Sequence, residues 1–386
     1  MKRLAWLSGM VLVLILAAPY PASAVDSGST VAVLGTTCAD GYLDAGTVAA
    51  AKGGDGWAHG FATFRYSATC GDRITYFEGS GTSWTVRSTP LVGKVIDVAA
   101  DGTGTYLLYV IDEIDVPELA VAKRANDGTI TRLNVVAPMD ETAPQDGRGS
   151  IVARNGTWLA VWPQYAGTPG RYALHQAGTM SGGAAEPRPL HVGTPTTPAS
   201  SDTHPALTLG PDGEPRLFWQ RSVSGGRHDL LLSAGAYGGW SPAARVAAEV
   251  VISSPYPALD VVVTGKRTFV SWTTSTTGGD VAVVGTSGGG RFSLSAPPAG
   301  PDSGSWDAHL QASSTTVFAA FSAGDEPPGG VRMGTRNGSA AWVVGDAPNA
   351  VPPSIDTFGV AALLYQGGGV STALIYSGHR LYAVTR

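Results

Sequence analysis

The feature that most constrains this chain is a short strand signal that ends in a large aromatic ring and recurs along the whole length. The rings are Tyr66, Tyr109, Trp162, Trp219, Trp272, Phe321 and Tyr365, at steps of 43, 53, 57, 53, 49 and 44 residues. The clearest unit is residues 203–246. Residues 206–210 alternate apolar and polar, with Leu207 and Leu209 on one face, as a half-buried strand does. Pro211-Asp212-Gly213 is a turn: Pro presets φ, Asp bonds its own backbone and Gly supplies positive φ. Residues 215–221 make a second strand carrying Phe218-Trp219. Ser224-Gly225-Gly226 is a loop, residues 229–233 a third strand, and residues 240–246, after Gly238-Gly239, a fourth.

Four antiparallel strands cannot bury both faces alone, but stacked face to face around an axis they can. A period of 40–57 residues with this patterning therefore predicts an all-β β-propeller of four-stranded antiparallel blades. The blades are expected at residues 45–91, 92–139, 148–192, 203–250, 256–298, 307–347 and 353–386. The first two units are the least regular, so six blades remain an alternative to seven. A strand over residues 30–35 has no blade of its own. It is expected to pair with the last blade, because closure hides edge strands. The recurring aromatics are read as packing between blades.

Residues 1–24 read as a signal peptide: Lys2-Arg3, an apolar run over residues 4–18, then Ala22-Ser23-Ala24. Export would leave residues 25–44 as an N-terminal segment with the closing strand, and residues 45–386 as the propeller. The expected location is extracellular, as a secreted protein. Without Lys2 and Arg3, the 25 basic residues fall to 23 against 30 acidic ones. No basic stripe is left to hold phosphates, which excludes nucleic acid as a partner. No further apolar run is long enough for a membrane span. The chain is expected to act as a monomer. Its two cysteines, Cys38 and Cys70, suggest one disulfide in an exported protein, worth about 3–4 kcal/mol on the chain-entropy model. Two buried free thiols are the alternative.

Over residues 203–298 the repeats HPALTLGPDGEPRLFWQ and DLLLSAGAYGGWSPA resemble those of sialidase-like, BNR-type propellers of bacterial secreted proteins. Ser80-Gly81-Thr82-Ser83-Trp84 and Asn155-Gly156-Thr157-Trp158 are shortened versions of the Asp-box of such repeats. The Phe/Tyr-Arg-Ile-Pro motif of true sialidases does not occur. The resemblance implies a propeller whose partner is an extracellular glycan or protein, or a sialidase-like glycoside hydrolase or lyase.

Few motifs carry chemistry of their own. Gly285-Thr286-Ser287-Gly288-Gly289 matches a nucleophile elbow, but it lies between two strand signals and reads as a hairpin turn. The seven histidines form no metal-ligand pattern, so no metal site is assigned. Asp112, Glu113, Asp115 and Glu118 offer oxygens of the kind calcium takes, though without the spacing of a calcium loop. No other cofactor is called for. Asn155-Gly156-Thr157 and Asn337-Gly338-Ser339 are glycosylation sequons that also read as tight turns.

The site is expected where strands enter the blades, at one mouth of the central channel. The entries carry Asp44, Asp146, Arg148, Asp202, His204, Tyr256, Asp302, Asp307 and Asn349. The loops rising around the same mouth add Asp112, Gln164, Tyr165, Arg221, Arg227 and His228. Asp202 or Asp307 would serve as catalytic acid or base. Arg148 and Arg221 would grip an anionic group, with His204, Arg227 and Tyr256 as further ligand-binding residues. The competing reading is that these residues cap strands and bond turn backbones, which Asp does routinely.

Overall fold

The computed structural model describes residues 30–34, 42–65, 73–111, 117–138, 149–166, 171–180, 186–190, 200–235, 239–252, 259–265, 267–276, 279–288, 291–295, 305–323, 330–337, 342–346, 358–367, 370–377 and 380–385. Seven four-stranded antiparallel sheets form the seven blades of a β-propeller. Strand β1 (Thr30–Leu34) stands apart in sequence. Blade 1 is β2 (Tyr42–Lys52), β3 (Ala58–Arg65), β4 (Arg73–Ser80) and β5 (Ser83–Val92). Blade 2 is β6 (Lys94–Asp101), β7 (Gly104–Ile111), β8 (Glu118–Ala125) and β9 (Ile130–Pro138). Blade 3 is β10 (Ser150–Arg154), β11 (Thr157–Tyr165), β12 (Tyr172–Gly178) and β13 (Arg188–Pro189). Blade 4 is β14 (Asp202–Leu209), β15 (Pro215–Ser222), β16 (Arg227–Ala234) and β17 (Ala244–Val251). Blade 5 is β18 (Asp260–Thr264), β19 (Arg267–Thr276), β20 (Gly279–Gly288) and β21 (Arg291–Ser295). Blade 6 is β22 (Ser305–Ala312), β23 (Thr316–Ala323), β24 (Gly330–Asn337) and β25 (Val343–Asp346). Blade 7 is β26 (Phe358–Gly367), β27 (Val370–Ser377) and β28 (Arg380–Thr385), with β1 as its outer strand. Among the described residues no helix is long and apolar enough to cross a membrane.

The ring closes through β1, which pairs with β28 from Thr30↔Thr385 to Leu34↔Leu381. This arrangement corrects one marker. Tyr365 lies on β26, the innermost strand of blade 7, and does not end a second strand. Because β1 supplies the outer strand, the C-terminal segment contributes only three strands. The second is β27, whose own run Ala373-Leu374-Ile375-Tyr376 carries the repeated pattern.

The second strands are apolar on both faces because each is sandwiched between two neighbouring blades. In β7, Tyr106, Leu108 and Val110 meet Trp158, Ala160 and Trp162 of blade 3. Leu107, Tyr109 and Ile111 meet Phe61, Ile74 and Tyr76 of blade 1. The ring-bearing position points the same way each time. Tyr109 packs on blade 1, Trp162 on blade 2, Trp219 on blade 3 and Trp272 on blade 4. These clusters between blades are the core of the protein.

The innermost strands are latched by side chains. Asp97 Oδ2 of blade 2 accepts from Ile151 N and Ser150 Oγ of blade 3, both at 2.8 Å. Ser150 Oγ accepts in turn from Leu207 N of blade 4 at 3.0 Å. Asp260 Oδ2 of blade 5 accepts from Leu310 N of blade 6 at 2.8 Å. In blade 4 the equivalent position is Ala206, which has no acceptor. In blade 5, Asp260 Oδ1 caps Val261 N of its own strand, at 2.7 Å. These bonds satisfy amides that closure would otherwise leave unpaired.

At one end of the channel the turns joining first and second strands are also tied together. Gly156 N donates to Asp101 Oδ2 at 2.8 Å, Arg154 Nη1 to Gly213 O at 2.8 Å and Thr264 Oγ1 to Ser313 O at 2.7 Å. Gly213 has φ +75°, and a Cβ there would lie 1.9 Å from Arg154 Nη1. Glycine meets both conditions without strain or a shift of Arg154.

Truncating one ring between blades should be felt globally. Trp219 is fully buried, so Trp219→Ala is expected to lower unfolding free energy by about 3–5 kcal/mol, read from urea denaturation. A loss below about 1 kcal/mol would contradict a packed junction of blades 3 and 4.

Candidate functional site

The opposite end of the channel, where first strands begin and second strands end, brings four of the predicted residues, Tyr165, Asp202, His204 and Arg221, to the junction of blades 3 and 4. Their faces follow from strand parity. Leu159 and Val161 of β11 and Leu174 of β12 pack against blade 4. Tyr165 and Tyr172 continue that face toward the mouth, opposite each other in the β11–β12 ladder. Their rings meet edge to face at 6.4 Å and 67°. From the other side, Leu217 and Trp219 of β15 pack against blade 3, and Arg221 is the next residue on that face. Its cross-strand partner is Asp202, the first residue of β14.

Arg221 and Asp202 form a two-pronged ion pair, Nε to Oδ1 at 2.6 Å and Nη2 to Oδ2 at 2.7 Å. Both residues are buried. The pair is anchored to blade 3 through Ser201: Tyr172 N donates to Ser201 Oγ at 2.9 Å. Ser201 N donates to Ser222 Oγ at 2.7 Å, and Ser222 N to Ser201 O at 2.8 Å. Beside the pair the β14–β15 register slips between Thr203 and Ala206. His204 sits in this bulge with φ +51° and its Nδ1 2.9 Å from Thr203 Oγ1. A left-handed non-glycine residue is strained by about 1–3 kcal/mol, and such strain collects at functional sites.

The other predicted residues are placed as follows. Arg227 opens β16 on the exposed rim and pairs with Glu249 Oε2 at 3.0 Å, away from the Asp202–Arg221 pair. His228 is half-buried, and burial lowers its pKa. Asp44 lies on β2 and Asp307 on β22, but their side chains are outside the described set. Arg148, Tyr256, Asp146, Asp302, Asn349, Asp112 and both cysteines, Cys38 and Cys70, also lie outside the described residues. So do Glu113 and Asp115 of the acidic loop, while Glu118 opens β8. Among the described residues no group of three or more His, Cys, Asp or Glu is placed to hold a metal ion.

Tyr172 was not singled out from sequence, although its alternation with Leu174 marks it as sharing the Leu174 face. The carboxylates on the channel wall were missed as well. Burial first, then the charge of Asp260, pushes the pKa of Asp97 up to about 6, against the lowering effect of its hydrogen bonds. His309 Nδ1 stands 3.6 Å from Asp260 Oδ2.

No protein-family model matches the chain, and no curated protein does. Solved structures do share its fold. Polysaccharide lyase Uly1 superposes with a TM-score of 0.53 at 11% identity, covering 85% of this chain and 87% of that one. The β-propeller domain of the Trilobed protease from Pyrococcus furiosus gives 0.50 at 12%, covering 89% and 95%. Trypanosoma rangeli sialidase gives 0.48 at 11%, covering 94% of this chain and 59% of the sialidase. At 11% and 12% identity, the likeness to the lyase and to the protease propeller is one of fold alone.

Two outcomes test this site. Arg221→Ala leaves a buried carboxylate alone and is expected to destabilise by about 3–5 kcal/mol. The double variant Asp202→Ala/Arg221→Ala should recover part of that loss, since it removes both charges; a denaturation cycle reads the coupling. Asp97, with its folded pKa raised, binds more protons folded than unfolded between about pH 4 and 6. Its contribution is therefore complete below about pH 4 and lost as pH rises through about 6. Asp97→Asn should flatten that part of the stability profile.

Proposed function

We propose that this chain is an extracellular β-propeller binding module that takes a glycan at the channel mouth between blades 3 and 4. The observation that carries the reading is the two-pronged Arg221–Asp202 pair beside the Tyr165–Tyr172 rings. The pair is neutral as a unit, so a ligand need bring no charge. Two of the five guanidinium N–H groups are used, and the others, with the second lone pairs of the carboxylate, remain for hydroxyls. A tyrosine face suits the C–H side of a sugar ring, and few polar groups around an apolar wall is the usual make-up of a ligand site. The signal-peptide pattern of residues 1–24 supports an extracellular location.

The competing reading is a glycoside hydrolase or lyase with Asp202 or Asp307 as acid or base. It requires Asp202 to leave its two bonds to Arg221, at 2.6 and 2.7 Å. A binding role needs no such release.

The experiment is a glycan-array screen of the purified chain, followed by calorimetry on any hit and assays for release of reducing or unsaturated ends. Tyr172→Ala is expected to weaken binding at least tenfold, about 1.4 kcal/mol, with its unfolding midpoint little changed. Equal affinity in Tyr172→Ala and wild type would remove this mouth from consideration. Turnover that disappears in Asp202→Asn would favour the enzyme.

A further inference from the structure

One turn is built three times among the described residues. In residues 53–57, Gly53 N donates to Trp57 O at 2.8 Å, Gly56 N to Gly53 O at 3.0 Å and Trp57 N to Asp55 Oδ1 at 2.9 Å. In residues 210–214 the same bonds run from Gly210 N to Glu214 O at 2.8 Å, Gly213 N to Gly210 O at 2.8 Å and Glu214 N to Asp212 Oδ1 at 3.1 Å. In residues 125–129 they run from Ala125 N to Thr129 O at 2.8 Å, Gly128 N to Ala125 O at 2.9 Å and Thr129 N to Asp127 Oδ1 at 2.8 Å. In each turn the residue after the Asp-Gly pair is exposed. Blade 4 has Glu214 there and blade 2 has Thr129, so the turn itself requires no ring. Blade 1 has Trp57, at the end of the channel away from the Asp202–Arg221 pair. Trp57 is 43% exposed, the one aromatic among the exposed large apolar side chains of the described residues. The others, Leu133, Val135, Val251 and Val343, lie on the outermost strands β9, β17 and β25.

The turn that carries Trp57 is braced by two blades. His59 Nε2 lies 3.0 and 3.1 Å from the two carboxylate oxygens of Asp55, and His59 Nδ1 lies 2.5 Å from Tyr76 OH. Tyr76 OH donates to Glu78 Oε2 at 2.8 Å. Arg124 of blade 2 stacks 3.9 Å over the Tyr76 ring, with Nη2 3.5 Å from Glu78 Oε2. Gly53 lets the His59 ring lie this close, since a Cβ there would stand 2.5 Å from it. Gly54 abuts the β6–β7 turn of blade 2, where a Cβ would stand 3.0 Å from Gly102 Cα. A ring carried on a braced backbone loses only side-chain freedom when a ligand covers it.

The exposed indole has a carboxylate two residues away. The Asp55 side chain is 55% exposed, and its Oδ2, which faces only His59, keeps a lone pair for a hydroxyl. The size and chemistry of this surface select its ligand. A protein interface takes about 800 Å² from each partner, whereas one aromatic ring offers about 150–250 Å². A methylated ammonium is held by a cage of rings, and Trp57 is single. A sugar ring matches both parts: its C–H face needs an apolar plane and its hydroxyls need an acceptor. We propose that Trp57 and Asp55 form a sugar-binding position at this end of the channel, separate from the mouth between blades 3 and 4. The indole covers the C–H face of one sugar ring and Asp55 Oδ2 accepts from a hydroxyl. The carboxylate disfavours uronates and sulfated sugars, so the ligand is a neutral glycan.

The test is retention on insoluble cellulose, chitin and mannan, made with Tyr172→Ala protein so that the other mouth is disabled. Trp57→Glu and Trp57→Thr are then added singly. Each copies the residue that another blade carries in the same turn, so the unfolding midpoint is expected to stay unchanged. Tyr172→Ala protein is expected to be retained on at least one polymer and released by soluble oligosaccharide of that polymer. Both Trp57 variants should lower retention by about tenfold or more. Three results would each overturn the proposal: no retention on any of the three polymers, equal retention with and without Trp57, or retention that soluble oligosaccharide does not compete, which is plain apolar adhesion. A Tyr172→Ala change without effect counts against the blade 3–4 mouth alone, and the result at Trp57 still decides this position.

Discussion

The packing of each second strand between two neighbouring blades is the interaction on which the structure depends. A four-stranded sheet with two apolar faces has no stable existence in water, and here each face is covered by the next blade. The ring therefore has to close. Closure falls to β1, which completes blade 7 from the other end of the chain. It also explains why the apolar runs read as continuous: residues of both parities are buried, as with Leu107 and Leu108 of β7.

Closure creates a second demand, on polar groups. Innermost strands face a channel, and their amides need acceptors that a neighbouring strand does not supply. Asp97, Ser150 and Asp260 meet that demand across blade boundaries. The consequence for function is direct. A carboxylate that caps amides of the next blade is part of the frame, and its burial is no sign of catalysis.

The mouth between blades 3 and 4 carries the Asp202–Arg221 ion pair, where the positions matching Arg221 in blades 3 and 5 are Gln164 and Thr274, and His204 stands beside the pair at positive φ. The turns at the opposite end, by contrast, are bonded from blade to blade. At this mouth blade 4 supplies the charges, Asp202 and Arg221, and blade 3 the rings, Tyr165 and Tyr172.

The sequence alone determined the strand type, the repeat and the packing of rings between blades, because these rest on local patterns, while six blades stayed open beside seven. A ring at the end of each apolar run, a Pro-Asp-Gly turn and a period of 43–57 residues need no knowledge of distant contacts. Asp202, His204 and Arg221 were also legible, as polar residues at the ends of strands that must meet at one mouth. Three things were decided only by tertiary structure. Tyr365 and Tyr376 carry the same local signal, and only the docking of β1 on β28 makes β27 the second strand. Asp202 and Arg221 lie nineteen residues apart, and their mutual neutralisation follows from cross-strand register. The chain from Asp55 to Arg124 joins five residues from two blades, and it forms only once the blades are in contact.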